Sequence, residues 1–337
     1  MSLKKKIALC IGINYLGTPN QLNGCINDVL LMSAFLKNTL GYDEITMLRD
    51  DQNDNKPTKT RILQEFIQLV KKSNECSEIW VHYSGHGSQV RDTNGDEVSG
   101  MDSVIVPCDF QKNGYILDDT IFEIIKQIKC RINLVFDCCN SGSVCDLQYS
   151  FQYNDAKKAF MRSFTTKKQR IIANPNIICI SGCEDRQTSA DTYSPELKLA
   201  IGALTNSLLF SIKKFNNSGS LLDVYVETVR KLKMDGYTQI PVLSASNGFP
   251  NYQFIPVLTF AIDKQLKPTE QPRSKPRSKP RNNNLVKQMN LFNDMIKSAK
   301  VDIDVRIIDE PVANNDYQFV HKWTKTKSTI YKMKFQQ

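Results

Sequence analysis

Trp80-Val81-His82-Tyr83-Ser84-Gly85-His86-Gly87 carries an apolar, strand-like run into a loop where His86 stands between two glycines. Leu134-Val135-Phe136-Asp137-Cys138-Cys139-Asn140-Ser141-Gly142 has the same plan, with two thiols where the apolar run gives way to small residues. Further short β-type runs lie at Ile7 to Ile13, Glu44 to Leu48 and Ile177 to Ser181. Segments of helical period separate the runs, at Ile26 to Leu40, Thr58 to Lys72 and Asp119 to Lys129. Strands alternating with helices predict an α/β fold, a mostly parallel twisted sheet with helices on both faces. In such a sheet, ligand-binding and catalytic groups gather beyond the carboxyl ends of the strands.

The helix boundaries agree with this reading. Thr58 can cap the helix carrying Ile62, Phe66, Leu69 and Val70, and Gly41 falls just past the one carrying Val29, Leu30, Met32 and Phe35. Ser103 to Pro107 and Tyr115 to Leu117, joined across Asn113-Gly114, read as a hairpin that interrupts the alternation. Residues 143–175, with Lys157, Lys158, Lys167, Lys168 and Arg170, read as a long polar loop open to processing. Helical patterns at Ala200 to Phe215 and Leu221 to Lys233 and a last strand near Tyr252 to Val257 complete the main body, residues 1–262.

Arg-Ser-Lys-Pro occurs twice within residues 273–280. A basic, Pro-rich repeat of this kind is extended and semi-rigid, so residues 263–284 form a linker and 285–337 a tail. In the tail Leu285, Met289, Phe292 and Ile296 recur at helical spacing, and Ile303 to Ile308 reads as a strand.

A chain of 337 residues is long enough for two domains or for one α/β domain with insertions, and 41% hydrophobic with 23% charged residues is a globular composition. No apolar run approaches the length of a membrane span, and the apolar stretch after Lys4-Lys5-Lys6 is short and lacks a cleavage site. The net charge is +9, yet residues 1–263 hold 28 basic and 28 acidic side chains, against 16 and 7 in residues 264–337. The main body therefore carries no signal for nucleic-acid binding, whereas the basic tail suits an acidic partner or acts as a solvated linker. Ten cysteines, several inside apolar runs and none in a Cys-x-x-Cys pair, read as reduced thiols in a cytoplasmic protein.

There are three histidines, His82, His86 and His321. His86 is the candidate base, because the flanking glycines leave room for a substrate backbone; His82, inside the strand, reads as structural. A thiol at the end of the neighbouring strand would pair with it as thiolate and imidazolium, since a nearby cationic His lowers a thiol's pKa.

The two motifs together resemble the His and Cys motifs of the metacaspases, caspase-like cysteine peptidases that cleave after Arg or Lys. The resemblance extends to Leu22-Asn23-Gly24-Cys25-Ile26-Asn27-Asp28, to Val104-Ile105-Val106-Pro107-Cys108-Asp109-Phe110 and to Ser181 to Ala190, and spans about residues 5 to 260. It is of type I without the N-terminal extension that family members often carry. Carried over by position, it implies a caspase-like fold for residues 1–262, with His86 as base and Cys139 as nucleophile. The backbone N–H groups of Gly87 and Cys139 would form an oxyanion hole. Cys138 stands where the family usually has Ser, and Asn140 where it usually has His.

The resemblance also implies a specificity pocket of Cys25, Asp28, Ser84 and Asp137. Two carboxylates there suit a guanidinium or ammonium group of a peptide or protein substrate. Asp102, Asp118, Asp119 and Asp146 correspond to the family's Ca²⁺ ligands, and hard carboxylate oxygens are what Ca²⁺ takes. Asp92 to Glu97 looks like part of an EF-hand loop but has Ser103 at the twelfth position, so it is set aside.

The expectation is thus a monomeric, Ca²⁺-stimulated, self-processing cysteine endopeptidase. Three rivals stand beside it. A catalytically weak caspase-like scaffold has no need to keep both His86 and Cys139. A caspase-type peptidase cutting after Asp needs basic residues where Asp28 and Asp137 stand. A flavodoxin-like nucleotide binder needs a Gly-rich phosphate loop, which Asn14-Tyr15-Leu16-Gly17 does not supply.

Overall fold

The computed structural model describes residues 4–95, 97–139, 144–163, 172–182, 191–194, 197–250 and 252–256, together with tail strands at Arg306–Asp309 and Gln318–Phe319. β1 (Lys5–Gly12), β2 (Glu44–Arg49), β3 (Cys76–Ser84), β7 (Arg131–Asp137) and β10 (Ile177–Ser181) form a parallel block in the order β10-β7-β3-β1-β2. These are the five runs read from the sequence. β1, β3, β7 and β10 are largely buried on both faces, as strands covered from both sides must be, while the edge strand β2 is only partly buried.

Alternation along β1 shows how the layers form. Ala8 and Cys10 face α1 (Cys25–Asn38), α5 (Ala203–Lys214) and α6 (Leu221–Met234), packing with Met32, Phe35, Leu208 and Val224. Ile7, Leu9 and Ile11 face α2 (Lys59–Lys72) and α4 (Asp118–Ile125), packing with Ile62, Phe66, Ile121 and Ile125. Successive side chains of a strand point to opposite faces, so one strand supplies both cores. Burying each large aliphatic or aromatic side chain contributes about 1.5–3 kcal/mol, enough for the sheet to hold its loops in place. Thr58 caps α2 as expected, its hydroxyl accepting the N–H of Arg61 at 3.2 Å.

Two expectations need correction. Residues 143–175 are not one loop: β8 (Tyr149–Asn154) and β9 (Ala159–Ser163) form an antiparallel hairpin within the main sheet. Tyr149, Phe151 and Tyr153 alternate with polar residues there, and Phe151 and Tyr153 pack into the core, which holds the strands despite their flanking lysines. The described part of the expected strand at Tyr252 to Val257, residues 252–256, is not a strand: Gln253 makes a single bridge to Ser220 while Tyr252 and Phe254 are buried. The closing strand is β13 (Val242–Ala245), antiparallel to both β10 and β8.

The expected hairpin at 103–117 is part of a separate three-stranded sheet of β4 (Gly87–Arg91), β5 (Met101–Ile105) and β6 (Ile116–Leu117). A short helical turn, α3 (Phe110–Asn113), lies between β5 and β6. β11 (Asp191–Ser194) and β12 (Leu199–Gly202) pair just before α5. In the tail, β14 (Arg306–Asp309) pairs parallel with β9 and antiparallel with β15 (Gln318–Phe319). The helical spacing expected over Leu285 to Ile296 lies outside the described residues, as do Asn140 and Cys183 to Ala190. Among the described residues no helix is long and apolar enough to cross a membrane.

Candidate active site

β3 and β7 run parallel with Ser84 opposite Asp137. Two residues further along each chain come His86 and Cys139, so one register brings both to the carboxyl edge of the sheet. The approach is tight: a β-carbon built on Gly87 would overlap the Cys139 carbonyl oxygen and come within 3.2 Å of Cys138 Sγ. Glycine is required there because nothing larger fits between the backbones. Of the two thiols, Cys138 is buried at 1% exposure and packs into the core below the sheet, while Cys139 is partly exposed.

His86 is oriented by its surroundings. Its Nε2 lies 2.8 Å from the carbonyl oxygen of Asn20. A carbonyl only accepts, so Nε2 carries the proton, and Nδ1 of the neutral ring keeps the lone pair a base needs. His82, fully buried in the strand, has its pKa pushed down to about 3 by desolvation and lies 3.3 Å from Thr205 Oγ1. It is therefore a neutral structural histidine, as expected from its position.

The acids assigned to the specificity pocket do meet. Asp28, at the start of α1, accepts hydrogen bonds from Ser84 Oγ at 2.5 Å and from the Gly202 N–H at 2.8 Å. Asp137 accepts from the N–H and the hydroxyl of Thr205 at 2.8 and 2.7 Å. Both are buried, and both reach Gly202: a β-carbon there would sit 2.7 Å from Asp28 Oδ2 and closer still to Asp137 Oδ2. Cys25 is buried one helical turn before Asp28, its N–H bonded to Asn14 Oδ1 at 3.0 Å. Gly202 and Thr205 were not identified from the sequence. They lie on the β12–α5 junction, outside every motif and far in the chain from Asp28 and Asp137, and only the fold brings them in.

A second acidic group lies against the small sheet. Carboxylate oxygens of Asp102, Asp118 and Asp119 fall within 4.8 Å of one another, as do those of Glu97, Asp118 and Asp146, with Asp118 common to both sets. The four expected acids are thus brought together, and Glu97 joins them. Burial, together with the charges of Glu97 and Asp102, holds the Asp118 carboxyl well above the usual carboxylate range. Asp146 is raised by burial and by Asp118 and Glu97, while Asp102 and Asp119 are raised by burial and by Asp92. Asp102 Oδ1 is buried with no hydrogen bond. Buried, mutually repelling carboxylates with a bare oxygen form a donor set that fits a hard divalent cation.

Glu97 belongs to the stretch set aside as an incomplete EF-hand. Asp92 accepts the N–H groups of Asn94, Gly95 and Glu97 at 2.9, 2.6 and 3.0 Å, a turn that leaves Glu97 2% exposed. Asn94 Nδ2 donates to Asp119 at 2.7 Å, and the Ser103 N–H donates to Asp118 at 2.6 Å. The stretch therefore feeds the acidic group without being an EF-hand.

The family profile described as "Metacaspase, peptidase C14 domain" matches residues 5–148. Metacaspase-1 of Scheffersomyces stipitis is 35% identical over 299 aligned residues, covering 74% of this chain and 73% of the relative. The chain belongs to the metacaspase family. Metacaspase-2 of Trypanosoma brucei brucei is 36% identical over 278 aligned residues, covering 77% and 79%. Among solved structures, protein GSU0716 from Geobacter sulfurreducens superposes with a TM-score of 0.51 at 23% identity over 73% of this chain and 94% of that one, a likeness of fold. This metacaspase chain is accordingly a caspase-like cysteine peptidase, with proteins or peptides as its substrates.

Proposed function

We propose that the protein is an endopeptidase that cleaves after Arg or Lys, using Cys139 as nucleophile and His86 as base. The observation that carries the specificity is the convergence of two buried carboxylates, Asp28 and Asp137, at the same carboxyl edge as Cys139. A guanidinium or ammonium group brings the charge and donors such a pocket seeks, whereas an Asp side chain would set a third carboxylate against two others.

In this reading the Cys139 thiol passes its proton to His86 Nδ1, and the thiolate attacks the carbonyl carbon of the scissile bond. The Asn20 carbonyl holds the Nε2 proton and stabilises the imidazolium. N–H groups of Gly87 and Cys139 face the developing oxyanion, and the imidazolium returns its proton to the leaving amine. Water then releases the acyl group, with His86 again as base.

The acidic group is read as a Ca²⁺ site held by Asp102, Asp118, Asp119 and Asp146, with Glu97 beside them. Bound there, Ca²⁺ supplies positive charge that relieves repulsion between the carboxylates. The residues' own part is positional: Asp102 lies on β5, the strand paired with β4, which begins at Gly87. Order in the acidic group thus supports the loop carrying His86.

Self-processing completes the proposal. Lys157 and Lys158 lie exposed at the β8–β9 turn, and the linker 273–281 offers further basic residues. Thiols such as Cys10 and Cys179, buried and outside any disulfide, suit the reducing cytoplasm. The test uses purified protein with fluorogenic peptides ending in Arg, Lys or Asp, with Ca²⁺ or chelator, and mass spectrometry of the chain itself. Turnover of Arg and Lys peptides and Ca²⁺-dependent self-cleavage, both absent in Cys139→Ala, are expected. Efficient turnover of Asp peptides would reject the acidic pocket.

A further inference from the structure

Asn14-Tyr15-Leu16-Gly17 follows β1 where a nucleotide-binding fold would place its phosphate loop, and it binds no phosphate by its pattern. Its tyrosine is nonetheless held in an uncommon conformation. Tyr15 has φ +52°, a left-handed backbone that non-glycine residues rarely adopt. The Thr18 N–H and hydroxyl secure that turn by donating to the Tyr15 carbonyl at 3.1 and 2.8 Å. Strain kept in place this way sends the side chain somewhere specific.

The side chain goes to His86. The Tyr15 ring lies against the imidazole, centroids 4.6 Å apart at 37°. Its hydroxyl accepts the His86 backbone N–H at 2.9 Å and donates to the Val106 carbonyl at 2.6 Å. Tyr83 closes the loop from the other side, accepting the Val106 N–H at 3.2 Å and donating to the His86 carbonyl at 2.7 Å. Two tyrosine hydroxyls thus bridge the backbones of His86 and Val106 in both directions, and Phe110 braces the Tyr15 ring edge-on at 6.4 Å.

We infer that Tyr15 is the positioning residue of the catalytic site: its hydroxyl pins the His86 peptide and its ring fixes the plane of the imidazole toward Cys139. The inference rests on the proposed dyad and adds to it the group that keeps the base in attack geometry. Tyr15 is 3% exposed, buried behind the His86 ring, so its effect falls on the chemical step rather than on binding. A base displaced by a fraction of an ångström loses rate at unchanged affinity.

The test compares Tyr15→Phe, Tyr15→Leu, Tyr42→Phe and His86→Ala in the full chain on an Arg-terminated peptide, with iodoacetamide alkylation of Cys139 across pH. Tyr42 is an equally buried tyrosine whose hydroxyl donates to Glu78 at 2.8 Å, away from the strand ends that carry the site. Tyr15→Phe keeps the ring and should lower kcat about tenfold; Tyr15→Leu loses both contacts and should lower it about a hundredfold, with KM within about twofold. Alkylation should slow in the same order. Tyr42→Phe should stay within about twofold of wild type in kcat. Should Tyr15→Leu fail to fold, Tyr15→Phe carries the test alone. Wild-type kcat in Tyr15→Phe, or an equal loss in Tyr42→Phe, overturns the positioning role. An active His86→Ala instead overturns the dyad and leaves the geometry of Tyr15 without a catalytic object.

Discussion

Gly87 lies so close to the carbonyl of Cys139 that no methyl group fits between the loops carrying His86 and Cys139. The contact links the end of β3 to the end of β7 beyond the last ladder pair, Ser84 and Asp137. It converts the register of two parallel strands into the proximity of an imidazole-bearing loop and a thiol-bearing one.

Gly87→Ala should therefore be nearly inactive while still folding. A β-carbon there must push the Cys139 backbone aside, and misplacing a nucleophile by about 1 Å costs on the order of a hundredfold in rate. Thermal melting beside kcat/KM checks this; near-normal turnover would mean that the loops are not held together by this contact.

Cys139→Ala should abolish peptide hydrolysis, and Cys138→Ala should keep a substantial part of it. Cys138 is buried among Phe136, Val144 and other core side chains, so its truncation removes packing worth about 1 kcal/mol rather than chemistry. Rapid alkylation should map to Cys139 by peptide mass mapping. A dead Cys138→Ala with an active Cys139→Ala would reverse the assignment.

Asp28→Ala should damage turnover of Arg peptides by at least about a hundredfold and also lower stability. The Ser84 hydroxyl and the Gly202 N–H would each lose a buried acceptor, at about 1–3 kcal/mol per unsatisfied group. Asp28→Asn retains an acceptor, so it should recover stability more than activity. Comparing melting temperature with kcat/KM for the two variants separates the roles; parallel recovery of both would make Asp28 a structural residue only.

Much of this is legible in the sequence, for a physical reason. Strands covered on both faces are continuously apolar, so β1, β3, β7 and β10 stand out, and a parallel sheet puts the residues after them on one edge. His86, Cys139, Asp28 and Asp137 follow from that rule and the motif resemblance. β8 was hidden because Lys157, Lys158 and their neighbours outweighed the alternation of Tyr149, Phe151 and Tyr153, which was the signal present. Tyr252 and Phe254 misled in the opposite sense: aromatic residues suggested a strand, but Tyr252 instead donates to Glu78 at 2.6 Å, next to the Tyr42 and Asn133 side chains that share the same oxygen. Glu97, Gly202 and Thr205 depend on contacts made across the chain, which no local pattern encodes.

The acidic group makes stability depend on pH in a direction opposite to that of a salt-bridged carboxylate. Burial, and then the neighbouring Glu97 and Asp102, push the Asp118 carboxyl up to about 8 in the folded chain, whereas an unfolded Asp has its pKa at about 4. Below the unfolded value both states are protonated and the group has no effect. Between the two values the unfolded chain releases the proton and the folded chain keeps it, so stability falls as pH rises; above the folded value the penalty is fully present. Bound Ca²⁺ should cancel that penalty. The melting temperature in chelator should therefore drop as pH rises from about 4 through about 8, with little drop in Ca²⁺, so that the gap between the two curves widens with pH. Asp118→Asn removes one of the titrating charges, leaving those of Asp146, Asp102 and Asp119, and should make the chelator curve shallower while weakening the response of both stability and peptidase activity to Ca²⁺. Parallel curves with and without Ca²⁺, or an undiminished Ca²⁺ response in Asp118→Asn, would show that these carboxylates do not hold the ion.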